Sequence, residues 1–270
     1  RRRSTHSSSP MAVAARVLSD WVDGATDSRD IEAREKFLQD VVGRCRVDKD
    51  DVLVVEGDLD LKALGVEYLS ALPDRLHVAG NLEMHHVKGL KRLCSVLTVT
   101  GDMNLWSCDE LEKLPDNLVV CGKLKVCCDA LASIPRGLRV SGDVRLMSHQ
   151  DIQFPEDLVL AGGLDLSNSY LRTLPDDLVV KGDLKLRSCR KLKCLPKRLS
   201  VAGMLDVSST SITSIPSDLQ FGGSLDMSFC EKLRHLPGSL IINGSLHALA
   251  SGLTKLPRGF IVKESLFLEE

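Results

Sequence analysis

The stretch LPDDLVVKGDLKLRSCRKLKCLPKRLSVAGMLDVSSTSITSIPSDL, residues 174–219, makes nearly the same statement twice. LPxxLxVxGxLxL is followed by LPxxLxVxGxLxV and then by IPxxL. In DLKL, residues 183–186, apolar and polar side chains alternate with the period of a strand. Leu184 and Leu186 point inward; Asp183, Lys185 and Arg187 point outward. Proline restricts both itself and the residue before it, so LxxLP turns the chain into an extended return. The LVV of residues 178–180 brings two more apolar residues to the core. Glycine then permits a tight corner into the next strand.

The pattern runs far beyond this stretch. Nine of the ten prolines, from Pro73 to Pro257, occupy one slot, and Cys94 fills the slot between Pro73 and Pro115. The steps are 20 or 21 residues, and a glycine column from Gly57 to Gly244 runs alongside. About ten units cover residues 52–263. One unit cannot bury its own apolar face, but stacked units share a core and pair their strands in parallel. This is a leucine-rich repeat pattern at the short end of its range. The return arm holds Pro and Gly in too few residues for a helix, so it is extended or 3₁₀. The expectation is an α/β repeat solenoid with a parallel β-sheet on its concave face.

The ends differ from the middle. RRRSTHSSSP, residues 1–10, is polar and reads as a disordered segment or the cut edge of a larger protein. Residues 11–47 read as an N-terminal two-helix cap. Met11, Ala14, Val17, Leu18, Trp21 and Val22 recur at helical spacing, with Asp27 or Ser28 as N-cap of a second helix. That second helix places Phe37, Leu38, Val41, Val42 and Cys45 on one face. Thirty-odd residues make a poor core alone, so the two helices cover the open end of the first repeat. The solenoid occupies residues 52–270 with its C-terminal end uncapped, leaving an edge strand and core exposed.

Composition narrows the function. Thirty-five basic and 37 acidic residues give a formal net charge of −2, unlike the strongly basic balance of a nucleic-acid binder. No apolar run approaches a membrane span. Nine cysteines, an odd number in a chain this long, argue against a disulfide framework and for a reducing compartment. No paired CxxC offers a zinc site. The seven histidines are scattered, and no triad, metal set or phosphate loop appears. No catalytic, cofactor-binding or metal-ligating residue is therefore assigned. The column three residues past each strand reads Leu64, Val87, Cys108, Asp129, His149, Ser169, Cys189, Thr210, Cys230 and Ser251. Cys108, Cys189 and Cys230 read as buried turn residues that bond neighbouring backbone, not as reactive groups.

The cap and repeats together resemble the bacterial leucine-rich-repeat effectors delivered by type III secretion, the IpaH and YopM group. The likeness rests on Trp21, on REKFLQDVVGRC ending at Cys45, and on the LP-type repeats through residue 268. The inserted VxG and the Cys or Thr where that family prefers Asn bring the repeats closer to effectors of plant-associated bacteria. Some of those carry an E3 ubiquitin ligase domain after the repeats. The resemblance implies secretion into a host cell's cytoplasm, a host protein as partner, and in ligase members a catalytic domain in the same full-length protein. The ligase members use a CxD motif. CCD at 127–129 has that spelling, but Cys127 lies within a repeat strand, so this chain itself is not read as an enzyme. A stand-alone binding or scaffold effector without ligase activity is the alternative, and an enzyme in its own right ranks below both.

Fold alone does not give function, so recognition falls to the outward positions. The middle outward column runs from Asp60 and Glu83 through Lys125, Arg145, Asp165 and Lys185 to Asp206, Asp226, His247 and Phe267. The next outward column contains Trp106, Cys127, Met147 and Arg187, and ends at Leu249 and Glu269. An exposed Trp and Met beside Arg and Lys has the composition of a protein-binding hot spot. The candidate partner-binding residues on the concave face are Trp106, Lys125, Arg145, Met147, Lys185 and Arg187. Phe229 and Phe267 form a second patch further along.

Overall fold

The computed structural model describes residues 9–156 and 158–268. Most of the N-terminal segment expected to be disordered, together with Glu269, lies outside the described residues. Two helices lead into a parallel β-solenoid of about ten turns with two sheet faces. The chain is thus an α/β repeat solenoid with an N-terminal helical cap. Among the described residues, no helix is long and apolar enough to cross a membrane.

Helix α1 spans Pro10–Asp23. It begins one residue earlier than the sequence suggests, because Ser9 serves as N-cap by accepting from the Ala12 amide at 3.2 Å. Proline is well placed in a first turn, where its missing N–H has no partner to lose. Helix α2 spans Ser28–Val41 and is capped by Asp27, whose carboxylate accepts from the Arg29 amide at 2.8 Å. The helix stops short of Cys45. Cys45–Val47 is instead a strand, paired antiparallel with Leu53–Glu56, and it starts the second sheet. Val42 therefore faces solvent rather than the core, as do Met11 and Val17. The buried apolar residues are Ala14, Leu18, Ala33, Phe37, Val41 and Cys45, with Trp21 edge-on to Phe37 at 5.1 Å.

The cap holds the first repeat through charge as well as oil. Asp30 and Arg34, i and i+4 on α2, pair at 2.8 Å and are both buried. Asp30 accepts from the Ser70 amide at 2.8 Å and from the Ser70 hydroxyl at 2.6 Å, while Arg34 donates to the same hydroxyl at 2.9 Å. Arg34 also lies over the Trp21 ring at 4.9 Å. Burying such a pair is tolerable only when most of the remaining lone pairs and protons find partners. Here Ser70 and the Trp21 carbonyl supply them, and Arg34 Nε alone is left without one.

Beyond the cap, each unit supplies two short strands. The LxL segments pair in one parallel sheet of eleven strands, from Leu59–Asp60 to Leu266–Phe267. The return arms are not merely extended. Their LxV segments pair as well, in sheets of six, four and two strands that are parallel except for the strand from the cap. Leucines and valines from both faces fill the space between them, with Leu59, Leu105, Leu184 and Leu186 fully buried.

Apart from Gly57, whose φ is +79°, the glycine column owes its place to close approach rather than to unusual dihedrals. A Cβ at Gly122 would sit 2.6 Å from the Gly101 carbonyl oxygen, and one at Gly80 would sit 2.6 Å from that of Gly57. Successive glycines are joined directly: Gly101 N–H donates to Gly80 at 2.8 Å, and Gly122 N–H to Gly101 at 3.0 Å. A side chain here would push neighbouring turns apart. The residue after the glycine completes the corner. Asn81, Asp102, Asp143 and Asp183 each accept, at 2.7–2.9 Å, from the amide of the corresponding residue one turn on.

The buried turn column needs correction at two positions. Cys128 and Ser148 occupy it, whereas Asp129 and His149 are exposed and pair with each other at 2.8 Å. The reason lies in the backbone. In seven other units a residue with left-handed φ immediately precedes the ladder residue, as Ser107 (φ 53°) precedes Cys108 and Ser188 (φ 60°) precedes Cys189. The units of Cys128 and Ser148 lack that residue, so the ladder is reached one position sooner. Leu64 and Ser251, at the two ends of the column, are only half-buried; between them the other positions are buried as read. Cys189 bonds the Leu166 carbonyl at 3.1 Å, Cys230 bonds Val207 at 3.0 Å, and Ser169 bonds Leu146 at 3.2 Å.

Candidate functional site: the outer face of the long sheet

Parallel pairing without slippage places one residue from each turn beside its counterparts. The register runs Asn104–Lys125–Arg145–Asp165–Lys185–Asp206 along the middle outward row. A second row runs His85–Trp106–Cys127–Met147. Trp106, Lys125, Arg145 and Met147 thus meet on three consecutive strands. Lys185 and Arg187 lie two strands beyond Arg145, about 10 Å away at the usual strand spacing. A shallow groove of about 290 Å³ links Lys125, Arg145, Asp165 and Lys185.

The four near residues are organised. Lys125 Nζ sits 4.2 Å from the centre of the half-buried Trp106 ring, a cation–π contact that ties the two neighbouring strands together. Arg145 reaches towards Asp165 at 3.6 Å and stays half in water. Cys127, expected to face outward between Trp106 and Met147, is only 4% exposed. The larger flanking side chains close over it, and burial pushes its thiol up despite the opposing charges of Arg145 and Lys125. Lys185 and Arg187 are exposed and form no ion pair among the described residues.

Several polar groups on this face belong to the scaffold. Asp165, Asp206 and Asp226 each accept at 2.9 Å from the amide two residues on, at Ser167, Ser208 and Ser228. This local side-chain bond offers the backbone an alternative to the ladder. It coincides with a change in the sheet: strands from Leu82–His85 to Val144–Met147 have four residues, and those from Leu164–Asp165 onward have two. The DxS spacing was visible in the sequence, but its meaning emerges only once the register is known. Glu83 is likewise engaged, 2.8 Å from His85 Nε2.

Most of the buried thiols are poor nucleophiles; Cys108, held down by a hydrogen bond from Cys128, is the exception. Burial pushes Cys189 and Cys94 up to about 12. A hydrogen bond shared with Cys108, together with burial, pushes Cys128 up. Among the described residues no group of three or more His, Cys, Asp or Glu side chains is arranged to hold a metal ion. What this face offers is shape, charge and exposed aromatic surface. No protein-family model and no curated protein matches this chain.

Proposed function

We propose that the chain is a protein-recognition module, and that the outer face of its long sheet grips the partner through Trp106, Lys125, Arg145 and Met147. The observation that carries this reading is the placement of an indole, a stacked ammonium, a guanidinium and a thioether on three adjacent strands. Rigid aromatic and Arg side chains of this kind dominate protein interfaces. The resemblance of the cap and LP-type repeats to type III secreted effectors extends the proposal. The partner is a host protein, the working compartment is the host cytoplasm, and the module selects substrates for an E3 ubiquitin ligase domain outside these residues. Nine cysteines without a disulfide among them fit a reducing compartment.

The test is capture of host proteins by the immobilised chain, compared with a Trp106→Ala, Arg145→Glu double variant. Hot-spot losses exceed about 2 kcal/mol, so a genuine partner binds the variant roughly 30-fold or more weakly. Unchanged capture, with the fold verified by circular dichroism, rejects this face as the binding surface. The ligase part is checked separately: the reading frame beyond Glu270 then encodes a helical domain with a reactive cysteine.

A further inference from the structure

We infer that the long sheet reads one extended polypeptide segment of about ten residues, whose side chains run acidic, then basic, then apolar from the Lys125 strand towards the Phe267 strand. This rests on the proposed function and adds the chemistry of the partner.

The first block follows from unsatisfied positive charge. Lys125, Lys185 and Arg187 form no ion pair among the described residues, and Arg145 has only the 3.6 Å contact with Asp165. Four cations on three turns, with only Asp165 between them, ask for carboxylates opposite them. The second block follows from Asp206 and Asp226. They lie directly across from each other in the sheet, and each commits one oxygen to a serine amide. Their other oxygens face outward on neighbouring strands. Like charges opposite each other destabilise a sheet, so a Lys or Arg laid between them relieves both.

The third block follows from apolar surface at the far end. His247 stacks on Phe267 with ring centres 4.5 Å apart and planes 14° apart. Phe229 is 51% exposed and has φ 60°, in a slot held elsewhere by His86, Ser107, Asn168, Ser188, Ser209 and Ala250. A bulky residue in the left-handed region is costly, and solvent gives it nothing in return. Its amide donates to the Leu249 carbonyl at 2.8 Å, which sets it beside a second exposed apolar residue. Strain and exposure together are repaid by a partner's aliphatic or aromatic side chain.

The alternation of sign selects a polypeptide over other polymers. A nucleic acid or an anionic membrane attracted to Lys125 and Arg145 would also meet Glu83 on one side and Asp206 and Asp226 on the other. Seven strand steps separate Lys125 from Phe267, roughly 34 Å, the span of about ten extended residues.

The test is selection from a random dodecapeptide display library on the intact chain. Enriched peptides should carry the three blocks in this order, in one chain direction or the other. Synthetic copies should bind at least tenfold more tightly than permutations with the basic block moved to an end. Lys185→Glu with Arg187→Glu should cost acidic-block peptides about tenfold, and so should Phe229→Ser with Leu249→Ser for the apolar block. Melting curves exclude misfolding, and Phe229→Ser removes strain rather than adding it. The inference is overturned if nothing enriches, if enriched peptides show no block order, or if a single-stranded oligonucleotide competes better than they do. Peptides without order that still depend on Trp106 and Arg145 leave the binding face standing and remove only the three-block partner. Peptides indifferent to every substitution on this face remove both.

Discussion

The first and last described turns of the solenoid carry the same slot in opposite states. Leu59 opens the first strand of the long sheet and is fully buried; Leu266 opens the last and is 44% exposed. At the first turn, α1 and α2 supply Leu18, Phe37 and the Asp30–Arg34 pair that clasps Ser70. At the last turn, Leu256, Ile261, Leu266 and Leu268 face solvent. In a solenoid each unit is stabilised mainly by its neighbours, so the burial of a slot depends on what packs against it. The same repeat slot is buried or exposed according to those neighbours.

The largest effect should come from breaking the clasp. Asp30→Ala leaves the Arg34 guanidinium buried without its partner, a loss of about 3–5 kcal/mol. Urea unfolding should show a lower midpoint, and a shift below 1 kcal/mol would mean that apolar contacts alone hold the cap. Next come the two leucines. Leu184→Ala in the middle of the stack should cost about 2–5 kcal/mol, whereas Leu266→Ala in the same slot should stay within about 0.5 kcal/mol. Equal losses would show that the last turn is as well packed as the middle. A smaller contrast separates two glycines. Gly122→Ala forces a methyl to within 2.6 Å of the Gly101 carbonyl and should cost about 1–3 kcal/mol. Gly238→Ala, with its nearest neighbour at 3.6 Å and no positive φ, should be neutral or gain up to about 1 kcal/mol.

These contrasts also mark what the sequence discloses. The period of Pro and Gly defines the solenoid, and the alternation in DLKL orients Lys185 and Arg187 without any coordinates. The outward rows follow because a parallel register with one strand per turn has no freedom to slip. Less visible is anything that depends on single-residue changes in the turn. The loss of one left-handed residue moves the ladder from Asp129 to Cys128 and from His149 to Ser148, and a fixed count of three misses it. The Asp30–Arg34–Ser70 clasp joins residues forty apart, and only the i, i+4 spacing of its charged pair hints at it. Cys127 looked outward by parity, yet Trp106 and Met147 are large enough to bury it. The candidate site was therefore legible as rows of residues, while the contacts between them, such as Lys125 over Trp106, were not.

The finest contrast lies in the buried ladder. Cys189→Ser should change stability by about 1 kcal/mol or less, since a hydroxyl can make the same bond to the Leu166 carbonyl that Ser169 makes to Leu146. Thiol labelling then compares middle with end. Cys121 and Cys194 are exposed and should react first with iodoacetamide at pH 8. Cys189 and Cys230 are equally inaccessible in the folded chain, and burial pushes both thiols up, Cys189 to about 12. Modification of either must therefore wait for local opening, whose free energy falls towards poorly supported elements. Cys230 lies two turns closer to the exposed last described turn, so in this chain it should be alkylated faster than Cys189, as read by mass spectrometry over time. Equal rates would mean that the stack opens as one unit, and that exposure of the last turn carries no penalty into its neighbours.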